Sequence, residues 1–301
     1  MENFRVSAPA TSGNLGPGFD ELGLAYDLRL EVVAKRAKHF EAQTVGEGAE
    51  DLPTDGSNLI LASYREMCSA LNVSAPPLSI EVRNPIPICG GLGSSATALV
   101  CGMALAYRVH GREVDRESIF QRAAAAEGHP DNVAPSVFGG LNRCGGQAWH
   151  FTSARVPIHP AIRVLLVTPD ARADTATMRE ALPCAWPEED RHANMALTEN
   201  LVKGLAEGQP EGLVCSQQDR LHQPYRFPLQ PKSERIFKYL CDHPHIAGSF
   251  LSGSGPTVAG WVLDKPDLTA ETFRGSIEGL VGPVRIWMVS VDHEGLLVGT
   301  G

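Results

Sequence analysis

The 301-residue sequence is long enough for one large domain or for two modest domains that share a cleft. Hydrophobic residues make up 43% of it and charged residues 20%, a balance that supports a sizeable core and argues against intrinsic disorder. The formal charge of -9 argues against DNA or RNA as a partner, because phosphate neutralisation needs a basic face. A single nucleotide is compatible with this charge, since it needs only a local nest of backbone N–H groups and a metal ion.

Cysteine usage and the apolar segments predict the compartment. The seven cysteines are scattered, and their spacing forms neither a zinc knuckle nor a redox pair, so we expect reduced thiols and a cytoplasmic location. The N-terminal segment carries Glu2 and lacks the apolar run of a signal peptide. The most apolar stretch, residues 96–107, is shorter than the ~20 residues that span a bilayer. We therefore expect a core helix there and no membrane partner.

The first part of the chain combines predicted strands with turn-rich segments. Alternating apolar and polar residues predict a strand over residues 4–8, and branched residues predict another over 28–34. Between them, residues 9–23 contain two prolines and four glycines, so we expect irregular structure. A helix is predicted over residues 57–71 with Ser57 as its N-cap, followed by a strand over 78–82.

Helices and strands interleave through the rest of the chain. An apolar helix is expected directly after Gly93, another over residues 115–126, and others over 174–181, 188–206, 233–240 and 267–279. Strands are predicted over residues 162–168, 257–263 and 284–289, and a turn over 249–255. Because the strands cluster near the N-terminus, the pattern favours an α+β fold over a doubly wound sheet. A domain boundary is predicted within residues 151–160.

The most specific chemistry lies in residues 87–106, PICGGLGSSATALVCGMALA. Glycines let the backbone approach an anion, and the helix that follows offers unpaired N–H groups and the positive end of its dipole. Ser94 and Ser95 add hydroxyls that suit a phosphate or a magnesium ion. The segment therefore predicts a phosphate-binding loop. The alternative is a turn whose glycines serve packing and whose serines cap the helix.

Two other phosphate-binding loops fit the sequence poorly. A Walker loop requires a lysine after its last glycine, and none is present. Gly91, Gly93 and Ala96 formally match a dinucleotide fingerprint, with Glu113 near the position of its acid. That fingerprint should follow a strand directly, however, and Pro85 and Pro87 interrupt the connection.

Four segments resemble one family. PATSGNLGPGFDELG (9–23), PICGGLGSSATA (87–98) and LSGSGPTVAG (251–260) resemble, in order and spacing, the three signature motifs of the GHMP kinases. EGHPDNVAPSVFGG (127–140) resembles the homoserine kinases within that superfamily. The resemblance covers about residues 5–260. It implies a two-part α+β fold, with a half like ribosomal protein S5 domain 2 over residues 1–155 and a ferredoxin-like half over 156–301.

The resemblance also implies an activity. It predicts transfer of a phosphate from ATP to the hydroxyl of L-homoserine, in threonine biosynthesis, with Mg²⁺ as cofactor; a homodimer is compatible with this prediction. One alternative is a GHMP kinase for another small alcohol. A second alternative is an inactive GHMP fold that binds or regulates, and it is disfavoured because Ser94, Ser95, Glu127 and Asp131 are all present.

By the same resemblance, the glycine-rich loop holds the ATP phosphates and two side chains hold magnesium. The expected nucleotide-binding residues are Pro87, Ile88, Cys89, Gly90, Gly91, Leu92, Gly93, Ser94, Ser95, Ala96 and Thr97. Ser95 and Glu127 are the expected magnesium ligands. For Glu127 the alternative is a surface acid at the end of a helix.

The substrate residues follow from the resemblance and from the charges of an amino acid. Asp20 is expected to pair with the ammonium group, and Asn14 to lie beside it. Arg179 and Arg226 are expected to bind the carboxylate together, since guanidinium groups read carboxylates in a fork-like geometry. A sugar or mevalonate would not need this pair. Further expected substrate residues are His129, Thr175 and Gly253. For His129 the alternatives are a contact with the nucleotide or a structural role, and for Gly253 the alternative is a tight turn before the strand that begins at residue 257.

Asp131 and Asn132 match the catalytic corner of the family, and two mechanisms are open for them. Asp131 could take the proton of the hydroxyl as a general base. Alternatively, both residues only orient the hydroxyl, and a loose, metaphosphate-like transition state makes a base unnecessary. The resemblance favours the second mechanism.

Overall fold

The computed structural model describes residues 3–147 and 149–299, which form two β-sheets with helices packed against them. This α+β architecture agrees with the predicted fold class. The strands are β1 (Phe4–Leu15), β2 (Gly18–Arg36), β3 (Glu41–Gly46), β4 (Leu78–Asn84), β5 (Leu141–Gln147), β6 (His150–Val156), β7 (Ile162–Pro169), β8 (Ser249–Leu251), β9 (Val258–Leu263), β10 (Val284–Val289) and β11 (Leu297–Gly299).

The helices fall between and after these strands. They are α1 (Leu59–Ala70), α2 (Ser94–Val109), α3 (Arg116–Glu127), α4 (Val133–Phe138), α5 (Thr175–Glu180), α6 (Glu188–Glu207), α7 (Pro210–Leu213), α8 (Gln223–Arg226), α9 (Pro231–Cys241) and α10 (Glu271–Val281). Short 3₁₀ segments span Val214–Gln217 and Phe227–Leu229.

The larger sheet carries the residues of the first motif. Its order is β11-β1-β2-β4-β3. Strand β5 also belongs to this sheet, because it pairs with the N-terminal part of β2 at Leu22–Leu24 and, on its other side, with β6. Helix α2 packs between β1 and α1 and is buried along nearly its whole length, as its apolar sequence predicted. The first turn of α2 is thereby fixed beside β1.

The smaller sheet has the order β10-β7-β9-β8 and packs against α9 and α10. Strand β7 is buried on both faces, because Val164 and Leu166 join the main core while Leu165 and Val167 join a second core. An uninterrupted apolar run is typical of a strand in that position. Strand β10, Val284–Val289, has the predicted bounds.

The prediction of irregular structure over residues 9–23 is wrong. Most of this segment belongs to the long antiparallel pair β1–β2, whose register shifts between Pro9 and Ala10 and again after Gly13. Irregularities of this kind let a sheet accommodate a proline and glycines. Gly23 stays extended and faces the backbone of Asp131, where an added Cβ would lie 1.7 Å from the carbonyl oxygen. The glycines permit close packing here.

Smaller corrections concern ends of elements. Helix α1 begins at Leu59, because Asn58 rather than Ser57 accepts the capping bond from the backbone of Ile60. Residues 249–251, predicted as part of a turn, form strand β8. Strands β3, β5, β6 and β11 and helices α4, α7 and α8 were not predicted.

The predicted domain boundary falls close to a change of sheet. Strand β6 ends at Val156 in the larger sheet, and β7 begins at Ile162 in the smaller one, but β11 returns to the larger sheet. The division between residues 155 and 156 therefore stays a prediction. In the ranges 3–147 and 149–299, no helix is both long and apolar enough to cross a membrane.

Candidate functional site

Side chains from the first and third motifs hold the glycine-rich loop in place. Ser252 Oγ donates to the carbonyl of Gly91 at 2.6 Å, so it must accept from Ser12 Oγ, 2.5 Å away. Ser12 in turn accepts from the hydroxyl of Tyr26 at 2.7 Å. Thr257 Oγ1 donates to the carbonyl of Gly90 at 2.6 Å. This buried network joins three motifs that are far apart in sequence.

The loop needs glycine at two positions. Gly91 and Gly93 have φ values of 77° and 67°, which disfavour other residues. A Cβ on Gly91 would lie 2.4 Å from the carbonyl oxygen of Ser252, and one on Gly93 would lie 2.0 Å from Thr11 Oγ1. Gly93 is the N-cap of α2 and has no side chain to occupy the first N–H groups of the helix. These groups can therefore bind an anion.

Most of the predicted nucleotide-binding residues border one cleft. Those at its surface are Ile88, Cys89, Gly90, Gly91, Gly93, Ser94, Ser95 and Ala96. Pro87 borders a neighbouring depression, and Leu92 is fully buried. Thr97 is buried too, and its hydroxyl contacts the carbonyl of Gly93 at 2.8 Å. Pro87, Leu92 and Thr97 therefore do not border the cleft that the other eight residues line.

Ser95 and Glu127 meet at the cleft although they lie on different helices. Ser95 is in the first turn of α2, Glu127 ends α3, and Ser95 Oγ donates to Glu127 Oε1 at 2.5 Å. Two hard oxygen ligands from protein, completed by water and phosphate oxygens, are typical of a magnesium site. Across the described ranges, no group of three His, Cys, Asp or Glu side chains forms a closed metal site.

His129 and Asp131 form a partly buried ion pair next to Glu127. His129 Nδ1 lies 2.7 Å from Asp131 Oδ1, and its Nε2 lies 3.9 Å from Glu127 Oε2. Burial alone would lower the pKa of His129, but the carboxylates of Asp131 and Glu127 outweigh it and raise the pKa to about 9. His129 is accordingly a cation at neutral pH, and it borders the cleft.

Asp131 lies behind the surface of the cleft. Its side chain is 1% exposed and also accepts from the backbone N–H of Asn132 at 3.0 Å. Burial would raise the pKa of Asp131, but charged His129 and Arg179 lower it below its usual range. Asn132 does border the cleft, and its Oδ1 accepts from Thr11 Oγ1 at 3.0 Å.

The predicted substrate residues Asp20 and Arg179 bind each other. The guanidinium donates two bonds to the carboxylate, of 3.0 and 2.8 Å, and both side chains are partly exposed. Asp20 and Asn14 both have positive φ, and Asn14 Oδ1 accepts from the backbone N–H of Asp20 at 2.8 Å. Asn14 thus fixes the position of Asp20, in addition to bordering the cleft.

Arg226, at the end of α8, borders the same cleft and is almost fully buried. Its Nη1 donates to the carbonyl of Gly253 at 2.9 Å, and its guanidinium lies over the ring of Phe19, as that of Arg179 does. Burial and the charge of Arg179 lower the pKa of Arg226 to about 10, so it stays protonated at neutral pH. Thr175 also borders the cleft, 3.3 Å from Ser254 Oγ.

The sequence did not reveal the apolar part of the cleft. It is lined by Leu52, Leu59, Ile60, Val82, Ile88 and Ala98, which come from α1, β4, the glycine-rich loop, α2 and the segment after β3. Such side chains suit a flat aromatic ring such as a nucleobase. Apolar residues of this kind carry no sequence signal that separates a ligand pocket from a core.

Other residues of the site were also missed. The motifs themselves contain three of them, Thr11, Ser12 and Ser252. Their hydroxyl groups were the sequence feature that could have indicated a hydrogen-bonding role. Phe19 lies in the first motif as well. His222 lies four residues before Arg226, and nothing in its local sequence indicates that the two side chains meet.

Comparisons with known proteins agree on one family. The family models "GHMP kinases N terminal domain" and "GHMP kinases C terminal" match residues 58–140 and 198–274. A homoserine kinase of Thermus thermophilus is 41% identical over 259 residues, covering 86% of this chain and 87% of that protein. One from Desulfitobacterium hafniense is 34% identical, covering 98% of this chain and 99% of that protein.

Solved structures show the same fold. A crystal structure of homoserine kinase from Cytophaga hutchinsonii matches with a TM-score of 0.85 at 24% identity, covering 99% of this chain and 98% of that one. A crystal structure of mevalonate kinase matches with a TM-score of 0.72 at 16% identity, covering 96% and 99%.

Proposed function

This chain belongs to the homoserine kinase family of the GHMP kinases, and on that premise we propose how its cleft holds ATP and L-homoserine. It is a kinase that phosphorylates the hydroxyl of L-homoserine to O-phospho-L-homoserine, a step of threonine biosynthesis. The observation that carries the proposal is that a free helix N-terminus borders the same cleft as Arg179 and Arg226, with the carboxylate of Asp20 bound to Arg179.

The phosphates of ATP lie on the glycine-rich loop, and the adenine lies against the apolar side chains of the cleft. Backbone N–H groups at the start of α2 face the phosphates, and the helix dipole favours their negative charge. The hydrogen bonds from Ser252 and Thr257 keep the loop in the binding conformation before ATP arrives. Less ordering entropy is therefore lost on binding.

Ser95 and Glu127 fit a magnesium ion because their oxygens already converge at the start of α2. Mg²⁺ prefers one or two protein oxygens and takes its other ligands from water and substrate phosphates. When bound, the ion would neutralise charge on the transferring phosphoryl group. Ser95 would then turn its lone pairs to the metal instead of donating its proton to Glu127.

Homoserine binds where the site supplies charges opposite to its own. Asp20 takes the ammonium group, and Arg226 and Arg179 take the carboxylate. Asp20 and Arg179 satisfy each other in the absence of substrate, so each exchanges a protein partner for a substrate partner. Arg226 contributes a buried positive charge near the same place.

The side chains around the hydroxyl orient it and do not abstract its proton. Asp131 is buried behind the cleft, paired with a protonated histidine and less basic than an ordinary carboxylate. Asn132 borders the cleft and can bind the hydroxyl. As the new P–O bond forms and the bond to ADP breaks, the hydroxyl becomes acidic and its proton can pass to a phosphate oxygen or to water.

A coupled ADP-release assay tests this proposal across L-homoserine, L-serine, mevalonate and galactose at saturating ATP. Turnover with homoserine should exceed turnover with each of the others by at least tenfold in kcat/KM. A preference for mevalonate or galactose would refute the charge-based substrate assignment. ADP release that no alcohol stimulates would refute the kinase function and favour an inactive binding protein.

A further inference from the structure

Arg226 has few partners for a buried charge. Its side chain is 1% exposed, yet within the described residues no Asp or Glu oxygen lies within 4.0 Å of its guanidinium nitrogens. Nη1 donates to Gly253 O at 2.9 Å, while Nε makes only a longer bond of 3.4 Å to Met178 O. Nη2 donates to no atom of the described chain, and the side chain borders the cleft. Its orientation therefore depends on a small number of neutral acceptors.

His222 is one of those acceptors, and its contacts define its protonation state. Its Nε2 lies 2.8 Å from the carbonyl oxygen of Gly16, which can only accept, so the proton of the imidazole is on Nε2. Nδ1 then carries the lone pair and accepts from Arg226 Nη1 at 3.2 Å. A protonated His222 would direct an N–H group at the guanidinium and lose this bond. The neutral tautomer with Nε2–H satisfies both Gly16 and Arg226. The buried carboxylate of Asp219 lies 3.6 Å from Nε2 and favours the charged form, but burial and the charge of Arg226 outweigh it and lower the pKa of His222.

The surroundings hold His222 firmly. Asp219 accepts the backbone N–H groups of His222 at 2.9 Å and of Gln223 at 2.7 Å, which fixes the turn before α8. The imidazole is fully buried and stacks on Phe19 with a centroid distance of 5.5 Å. Arg226 lies over the same ring. The first motif, through Gly16 and Phe19, thus reaches Arg226 by way of His222.

Resting on the proposed carboxylate site, we propose that neutral His222 is a positioning residue that aims the guanidinium of Arg226 at the substrate carboxylate. Its Nδ1 and the carbonyl of Gly253 hold Nη1, and Nη2, which has no acceptor in the described chain, stays available to a ligand on a side chain that borders the cleft. A hydrogen bond to a charged group is stronger than one between neutral groups, and a fork-shaped donor binds well only when it is held in register. His222 affects the binding of homoserine and not the binding of ATP, because other side chains, those of Ser252 and Thr257, hold the glycine-rich loop.

Two near-isosteric substitutions separate the two bonds of His222. His222→Asn places an amide oxygen close to the position of Nδ1 and can still accept from Arg226. His222→Gln places an amide nitrogen close to the position of Nε2 and can still donate to Gly16, but it offers Arg226 no acceptor at Nδ1. His222→Phe keeps the ring and removes both bonds.

Steady-state kinetics with the full chain decide the matter. His222→Gln and His222→Phe should raise the KM for homoserine about tenfold or more, which corresponds to one charge-assisted bond. The KM for ATP should change less than about twofold. His222→Asn should restore the KM for homoserine to within about threefold of wild type. His192→Asn, at an exposed histidine of α6, is the matched control and should behave as wild type.

Equal homoserine KM values in His222→Asn and His222→Gln would overturn the positioning role, whether both are normal or both are raised. Thermal unfolding of each variant, with and without ATP, separates a folding defect from a binding defect. If His222→Phe does not fold, the comparison of homoserine KM between His222→Asn and His222→Gln still tests the positioning role. Absence of homoserine phosphorylation by the wild type would instead refute the proposed function itself, and the inference with it.

Discussion

Arg226 and Arg179 carry the same charge but should differ strongly in what they contribute to homoserine binding. Arg226 is 1% exposed, so its contact with a carboxylate would be desolvated; truncating one partner of such a contact typically costs ~2–5 kcal/mol. Arg226→Met should therefore raise the KM for homoserine by about 30-fold or more. The side chain of Arg179 is 44% exposed, and contacts of that kind contribute about 0.2–1 kcal/mol because water screens them.

Arg179→Met should accordingly raise the KM for homoserine by about fivefold at most. Its loss also frees Asp20 from its ion pair, which favours the substrate ammonium and offsets part of the penalty. From the sequence alone, the two arginines are expected to bind the carboxylate together, with no difference between their contributions. In the structure Arg226 is buried and Arg179 is partly exposed. The quantity to measure is therefore the ratio of the increase in homoserine KM in Arg226→Met to that in Arg179→Met.

The assay is coupled ADP release with homoserine and with homoserine amide, which lacks the carboxylate charge. The wild type should prefer homoserine by at least tenfold in kcat/KM, and Arg226→Met should lose most of that preference. Arg226→Lys tests geometry, since it keeps the charge and loses the planar fork. Arg235→Met, at an exposed residue of α9, is the control. Equal wild-type turnover of homoserine and its amide would refute the reasoning.

Three further predictions concern the metal, the catalytic corner and pH. Glu127→Gln removes an expected magnesium ligand, so kcat should fall at least tenfold and more Mg²⁺ should be needed; Glu117→Gln, exposed on the same helix, should not alter either. Asp131→Asn should lower kcat by less than the ~10²–10⁴-fold expected for a general base, since Asp131 is buried and paired with His129. Burial lowers the pKa of His222, so below about pH 6.5 the unfolded chain binds a proton that the folded chain does not. Urea unfolding should therefore show a loss of stability of up to about 1.4 kcal/mol per pH unit as pH falls below 6.5, and His222→Asn should lack it.

Each of these has a contrary outcome. Unchanged kcat and Mg²⁺ dependence in Glu127→Gln would move the metal ligand elsewhere. A loss of kcat of about 10²-fold or more in Asp131→Asn, with the acidic limb of the pH–rate profile abolished, would restore the general-base mechanism. Parallel stability curves for wild type and His222→Asn between pH 5 and 7 would show that His222 does not resist protonation in the folded state.

Local sequence predicted those features that depend on neighbouring residues. Helix α3, Arg116–Glu127, lies within one residue of the predicted range 115–126, and β10 has the predicted bounds, because side-chain period acts within a few residues. The glycine-rich run indicated an anion-binding helix start for the same reason. The resemblance of four motifs also placed Ser95, Glu127 and Asp131 in one site. The ion pairs and hydrogen bonds among them were not predictable from it.

Only the tertiary structure decided burial and long-range pairing. The hairpin of β1 and β2 was missed because glycine and proline are unfavourable in isolated strands, whereas here bulges and close packing against Asp131 accommodate them. Ser12 and Ser252 are 240 positions apart, so no local pattern records their contact. The same holds for the bond from His222 to Gly16, 206 positions away, which sets the tautomer of His222. Whether an arginine is a screened surface cation or a buried anion receptor depends on what the rest of the chain packs against it, because desolvation is a property of the assembled fold.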